Sequence, residues 1–261
     1  MLLAIDVGNT NVVVGVYQKG KLLYHWRMAT DPERTADEYG VFIRAFLRHE
    51  GLDPAAVDSV VVATVVPPVI PAVEEMARHY FHCQPLFVEP GIRTGLAIKY
   101  ENPKEVGADR IANAVAALEL YGAPAIVVDF GTATTFDAIS PAGEYLGGAI
   151  APGVWISAEA LFSHTAQLRR VELVKPRQAI GRNTVSALQA GILYGVIGQV
   201  RELVQRMKEE LGSQTRVVAT GGLASMVARE VPEIEVVNPM LTLEGLRLIY
   251  ERNLKKEEGC G

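Results

Sequence analysis

Cysteine is almost missing from this chain: there are two in 261 residues, Cys83 and Cys260, far apart and with no metal-ligand partner at short spacing. That argues against a disulfide-stapled secreted scaffold and suits a compartment where thiols stay reduced. Basic runs longer than a pair are missing as well, and the formal net charge is -5. No general nucleic-acid coating surface is expected from that balance. No apolar run approaches the ~20 residues that span a bilayer, and Asp6 is reached without a positively charged leader. The expectation is a cytoplasmic protein with no nucleic-acid and no membrane partner. Linkers and low-complexity stretches are missing too. What is there is 49% hydrophobic residues against 21% charged, enough for a sizeable core and for two domains of ordinary size.

The most informative stretch is the start. An apolar run ending at Ile5 meets Asp6-Val-Gly-Asn-Thr-Asn11, and a second apolar run continues to Val16. The pattern predicts a hairpin with a carboxylate at its bend. Gly8 lets an anion approach the backbone, Thr10 and Asn11 supply hydrogen bonds, and Asp6 would repel phosphate unless a cation lies between them. The combination points to a Mg²⁺-nucleotide. A lone Asp-x-Gly turn is usually only a turn, but a second copy follows at Ala125-Ile-Val-Val-Asp129-Phe-Gly131-Thr132-Ala-Thr134. Two matching turns suggest an internal duplication whose halves pack face to face, with Asp6 and Asp129 meeting across one cleft.

In chain order, a third strand over 22–28 completes a meander, a helix follows over 35–49, then a strand over 59–66, a helix over 71–81 and a strand over 85–88. The first half therefore reads βββαβαβ. Gly15 to Leu22 nearly spells a phosphate loop, but Leu22 stands where Ser or Thr must reach Mg²⁺, and the segment joins strand to strand. His79, His82 and Cys83 close an amphipathic helix without a nearby fourth ligand, so they read as helix-end residues. A helix opens near Val106 with Asp109 in its first turn, where the helix dipole favours an ionised carboxylate able to accept a proton. Capping its own helix and pairing with Arg110 is the competing role for Asp109. A glycine-rich bend (144–153), an apolar helix from Val185 to Leu211 expected to be buried in the core or against a second subunit, a strand from Arg216 into Gly221-Gly222 that is either a second backbone platform or a tight strand-to-helix connection, a strand over 234–237 and a helix over 243–254 complete the second half. The last residues, 255–261, are expected to fray. The division is expected near 100–110, giving domains 1–105 and 106–261.

These motifs, Asp6-Val-Gly-Asn-Thr-Asn11, Gly107-Ala-Asp-Arg110, Asp129-Phe-Gly-Thr-Ala-Thr-Thr135 and Ala219-Thr-Gly-Gly222, resemble those of the type III pantothenate kinases, of the acetate kinase, sugar kinase, Hsp70 and actin superfamily. The resemblance spans essentially the whole chain, and Gly-Ala-Asp-Arg is its discriminating part. It implies an α/β fold of two ribonuclease H-like domains, an actin-like ATPase duplication, each a mixed five-stranded sheet flanked by helices. It implies ATP-dependent phosphorylation of pantothenate, the first step toward coenzyme A. Within that resemblance Asp6, Val7, Gly8, Asn9, Thr10, Asn11, Val12 and Val13 match the first ATP motif, with Asp6 holding the Mg²⁺-nucleotide, and Thr132 matches a second ATP contact. Asp109 matches the proton acceptor; Tyr100, Gly107, Ala108, Arg110 and Thr184 match pantothenate contacts; Asp129 matches the ligand of a monovalent cation, K⁺ or NH₄⁺. A homodimer formed through the second domain is also implied. The alternatives are a kinase of another small alcohol or carboxylate in the same superfamily, or a non-catalytic accessory factor in transcription.

Overall fold

The computed structural model describes residues 1–164 and 170–254, so Cys260 and the expected fraying of 255–261 lie outside the described residues. The chain forms two compact units: Met1–Leu120 together with the described residues from Met240 onward, and Tyr121–Pro239.

In the first unit the elements run β1 (Leu2–Val7), β2 (Asn11–Gln18), β3 (Lys21–Ala29), α1 (Ala36–His49), β4 (Ser59–Thr64), α2 (Ile70–Phe81), β5 (Leu86–Phe87), a short β6 (Ala97–Ile98) and α3 (Ala108–Tyr121). Through β5 this is the expected βββαβαβ. The sheet order is β3-β2-β1-β4-β5, with β1 antiparallel to β2 and parallel to β4. Strand β1 is central and its Leu3, Ala4, Ile5 and Val7 are fully buried, as a strand covered on both faces should be. Helix α1 lays Ala36, Tyr39, Ile43 and Leu47 on the core at three- and four-residue spacing. Its start is fixed by a capping box: Glu38 N–H donates to Thr35 Oγ1, and Thr35 N–H donates back to the Glu38 carboxylate, a device worth about 1 kcal/mol.

The second unit contains β7 (Ala125–Phe130), β8 (Ala133–Ile139), β9 (Glu144–Pro152), α4 (Val154–Ser163), α5 (Thr184–Leu211), β10 (Arg216–Gly221), a five-residue α6 (Ala224–Ala228) and β11 (Val236–Val237). Its strands lie in the order β11-β10-β7-β8-β9. Strand for strand this is the order of the first sheet, with the same directions: two antiparallel pairs on one side of the central strand and two parallel pairs on the other. The duplication inferred from two turns thus extends to whole sheets. Ile126, Val128, Phe130 and Phe136 pack on Ile192, Val196, Val200 and Val204 of α5.

Helix α7 (Leu241–Leu254) returns to the first unit, where it packs against β1 and β4. The sequence reading expected residues 106–120 and this last helix in the second half; by contacts they cluster with the first unit. Gly245 of α7 lies so close to the Ala112 carbonyl of α3 that a Cβ there would overlap it. Within this chain the start of α5 is buried on one face, and Gly191, Gly195 and Gly198 on the other are exposed. No helix among the described residues is long and apolar enough to cross a membrane.

Candidate functional site

In the first unit the sequence-predicted residues gather at the edge where β1 and β4 both end. Asp6 is the penultimate residue of β1, paired with Val13 on β2 and Ala63 on β4. Gly8 N–H donates to Asn11 O at 3.0 Å and closes the tip, so Asn9, Thr10 and Asn11 form its exposed end. Thr30, just beyond β3, braces the tip through Oγ1 donating to Gly8 O at 2.6 Å and N–H donating to Thr10 O at 3.0 Å. Sequence reasoning passed over Thr30, although the meander register, with Asn11 opposite Ala29, places it there.

The Gly107–Arg110 segment reaches the same edge. Val65, immediately after β4, donates its N–H to Val7 O at 3.2 Å, and its Cγ1 lies 3.5 Å from where a Gly107 Cβ would stand. Asp109 sits in the first turn of α3, partly buried, with Oδ1 accepting the Arg110 N–H at 2.8 Å. A Cβ on Gly107 would come within 2.5 Å of that same Oδ1, so glycine leaves the room the carboxylate occupies. Burial pushes the Asp109 carboxyl above its ordinary value, against the opposing pull of the Arg110 N–H and guanidinium. Arg110 is itself buried. Tyr100 lies half buried in a bend between β6 and a 3₁₀ turn at Pro103–Glu105 that leads into α3.

In the second unit Asp129 occupies the position on β7 that Asp6 holds on β1, opposite Thr135 and Thr220. The exposed Thr132 stands at the β7–β8 tip, where its carbonyl lies against Gly153. Gly221 has φ +87°, and a Cβ there would sit 2.6 Å from both Asp129 Oδ1 and the Phe130 carbonyl. At the Gly221-Gly222 turn Gly222 N–H donates to Phe130 O at 3.2 Å, and the α6 that follows is five residues long. Thr184 opens α5, capped by Asn183, and lines an open hollow of ≈ 520 Å³ with Pro152, Ser157 and Leu161. Pro152 pairs with Ala133, so the hollow adjoins the Thr132 tip.

Other segments behave as their chemistry dictates. Lys19 and Gly20 take positive φ in a tight turn between β2 and β3, so the near-phosphate-loop spacing there is a hairpin. His82 takes φ +56° at the C-terminal cap of α2 and Cys83 N–H donates to Ala77 O, as helix-end residues do. Among the described residues no three or more His, Cys, Asp or Glu gather to hold a metal.

A family model described as type III pantothenate kinase matches residues 2–206. A type III pantothenate kinase of Bacillus cytotoxicus is 56% identical over 261 residues, 99% of this chain and 100% of that protein. Among solved structures, a Campylobacter jejuni protein described as a Baf family transcriptional activator superposes with a TM-score of 0.61 at 21% identity, covering 97% of this chain and 99% of its own. A Sinorhizobium meliloti protein described as a 2-dehydro-3-deoxygalactonokinase does so with a TM-score of 0.56 at 12% identity, covering 98% and 96%. At those identities the two structures speak for the fold alone, a duplicated α/β architecture of mixed sheets flanked by helices, as the sequence led one to expect. With the family model spanning most of the chain and more than half of all positions shared with the Bacillus enzyme, the chain belongs to the type III pantothenate kinase family.

Proposed function

We propose that this chain transfers the γ-phosphoryl group of ATP to the primary hydroxyl of pantothenate, the step that opens coenzyme A synthesis, with Asp109 as proton acceptor. The observation that carries the reading is the partly buried Asp109 carboxylate at the start of α3, on the same strand edge as the Asp6 tip. Family membership supports the substrate pair.

In this reading Asp6 to Val13 receive the ATP phosphates and Thr132 makes a second ATP contact. Tyr100, Gly107, Ala108, Arg110 and Thr184 hold pantothenate, and Arg110 offers a guanidinium fork to negative charge. Phosphoryl transfer has a loose transition state, so the main demand on Asp109 is to orient the hydroxyl and take its proton late. Raising its pKa by burial makes it a better base.

The donors at the Asp6 tip are a carboxylate, amides and a hydroxyl, the hard oxygen chemistry that suits Mg²⁺ shared with nucleotide phosphates. Bound there with ATP, Mg²⁺ would offset charge on the transferring group. Asp129, kept open by Gly221 and next to the Phe130 carbonyl, offers oxygen donors of the kind a monovalent cation, K⁺ or NH₄⁺, takes. The two-domain division, the cytoplasmic setting, the lack of a nucleic-acid partner and a homodimer belong to the same reading. For the dimer the support is the exposed apolar set Ile150, Trp155, Ile156 and Val185 on β9, α4 and α5.

The test is pantothenate-dependent ADP release with Mg²⁺, with and without K⁺, on the wild type and Asp109→Asn. Loss of at least ~100-fold in the variant, about 2.7 kcal/mol of barrier, is expected. Full activity in Asp109→Asn would remove the base assignment. Turnover with a sugar or acetate but not pantothenate would favour a different acceptor, and no turnover with any acceptor would favour an accessory role.

A further inference from the structure

Helix α7 touches both the sheet that carries Asp6 and the helix that carries Asp109. On the sheet side, Leu243 packs on Gly15 of β2, Tyr17 O–H donates to Glu244 at 3.1 Å, and Arg247, held by Glu244 and Glu251 of its own helix, lies over the Tyr17 ring. On the helix side, Gly245 abuts the Ala112 carbonyl, Thr242 Oγ1 donates to Asn113 Oδ1 at 2.8 Å, and Arg252 pairs with Glu119 near the far end of α3.

The placement of Asn113 matters. It is 1% exposed and follows Asp109 by four residues, one helical turn along the same face. The Gly245–Ala112 contact brings the two helices together but is a smooth backbone-to-backbone approach, which resists separation more than rotation. A directed hydrogen bond one turn from Asp109 resists rotation as well. Arg252–Glu119 lies ten residues beyond Asp109, roughly 15 Å along the axis, and is half exposed. It fastens the pair without fixing the first turn.

We propose that Thr242, acting through Asn113, is a positioning residue that sets the rotation of α3 and so the place of the Asp109 carboxylate relative to the end of β1. The proposal rests on Asp109 being the proton acceptor. Misplacing a catalytic group by about 1 Å costs on the order of 100-fold in rate, so a small rotation is enough to be seen.

The experiment is steady-state ADP release by the full chain, with ATP and pantothenate varied separately, for Thr242→Val, Thr242→Ser and Arg252→Gln. The expected result is a fall in kcat of at least about tenfold for Thr242→Val with KM for ATP within about twofold of wild type. Thr242→Ser, which keeps the hydroxyl, restores kcat, and Arg252→Gln keeps it. In an Asp109→Asn background Thr242→Val has no further effect, because the two changes act through one group. Wild-type kcat in Thr242→Val, no rescue by Thr242→Ser, an equal loss in Arg252→Gln, or a full additional loss in the Asp109→Asn background overturns the proposal. Should Thr242→Val melt below the assay temperature, Thr242→Ala is read in its place; if neither folds, the hydroxyl is structural and the proposal falls. Activity retained by Asp109→Asn itself removes the base assignment, whereas an inactive Asp109→Asn beside a fully active Thr242→Val removes only the positioning role.

Discussion

Replacing Gly221 by alanine would strike two things at once. The residue has φ +87°, a conformation that costs an L-residue roughly 1–2 kcal/mol. Its new Cβ would also stand 2.6 Å from the Asp129 carboxylate and from the Phe130 carbonyl, neither of them the loose end of a long side chain. Forcing an extra methyl into such a place costs about 1–3 kcal/mol, so Gly221→Ala should destabilise the protein by roughly 2–5 kcal/mol. At about 2–4 °C per kcal/mol for a chain of this size, the melting midpoint should drop by roughly 4–20 °C. Because the displaced group is Asp129, the same variant should need more K⁺ for half-maximal ADP release. Gly222→Ala is the matched control: a Cβ there meets nothing within 4 Å, and an effect under about 0.5 kcal/mol is expected. Thermal melts and K⁺ titrations of the two variants decide the matter. A Gly221→Ala midpoint equal to wild type would refute the backbone argument. A lowered midpoint with unchanged K⁺ dependence would refute the role of Asp129 alone.

Two further outcomes follow from the charge and surface chemistry. Burial raises the Asp109 pKa in the folded state, so between its unfolded and folded values the native chain binds more protons and stability falls as pH rises through that window. Asp109→Asn should therefore melt higher than wild type at pH 7.5, with the gain shrinking toward pH 4 as the wild-type carboxyl protonates; a lower midpoint at pH 7.5 would mean that Arg110 more than compensates the burial. Trp155 on α4 is 60% exposed, and in the homodimer proposed above Trp155→Glu should yield monomers in sedimentation or light scattering, an unchanged mass sinking that choice of interface.

Much of the fold was written in local patterns. The alternation of apolar strands with Asp-x-Gly turns marked both hairpins, and the helical spacing of apolar residues marked α1, whose Thr35–Glu38 capping box was not read from the sequence. Where local chemistry competed with hydropathy, the boundary moved: the apolar run at Val65-Val66 reads as strand, but Thr64 Oγ1 accepts the Val66 N–H at 3.0 Å and turns the chain before the prolines. The gathering of Asp6 and Asp109 on one edge was legible as two motifs, not as a contact, because the link runs through Val65, whose N–H meets Val7 and whose side chain meets Gly107. The allegiance of α7 was not legible. An amphipathic helix shows which face it buries but not against what, and a glycine such as Gly245 carries no mark of the carbonyl it will meet.

That allegiance has a consequence for how the chain is made. The first unit is stitched from residues 1–120 and the helix over 241–254, with the second unit synthesised in between. On a ribosome, β1 to α3 must wait, with Gly15 and Ala112 uncovered, until residues 241–254 have emerged. A nascent chain halted at residue 239 would hold a complete second unit beside an unfinished first one, the kind of exposed apolar intermediate that chaperones bind.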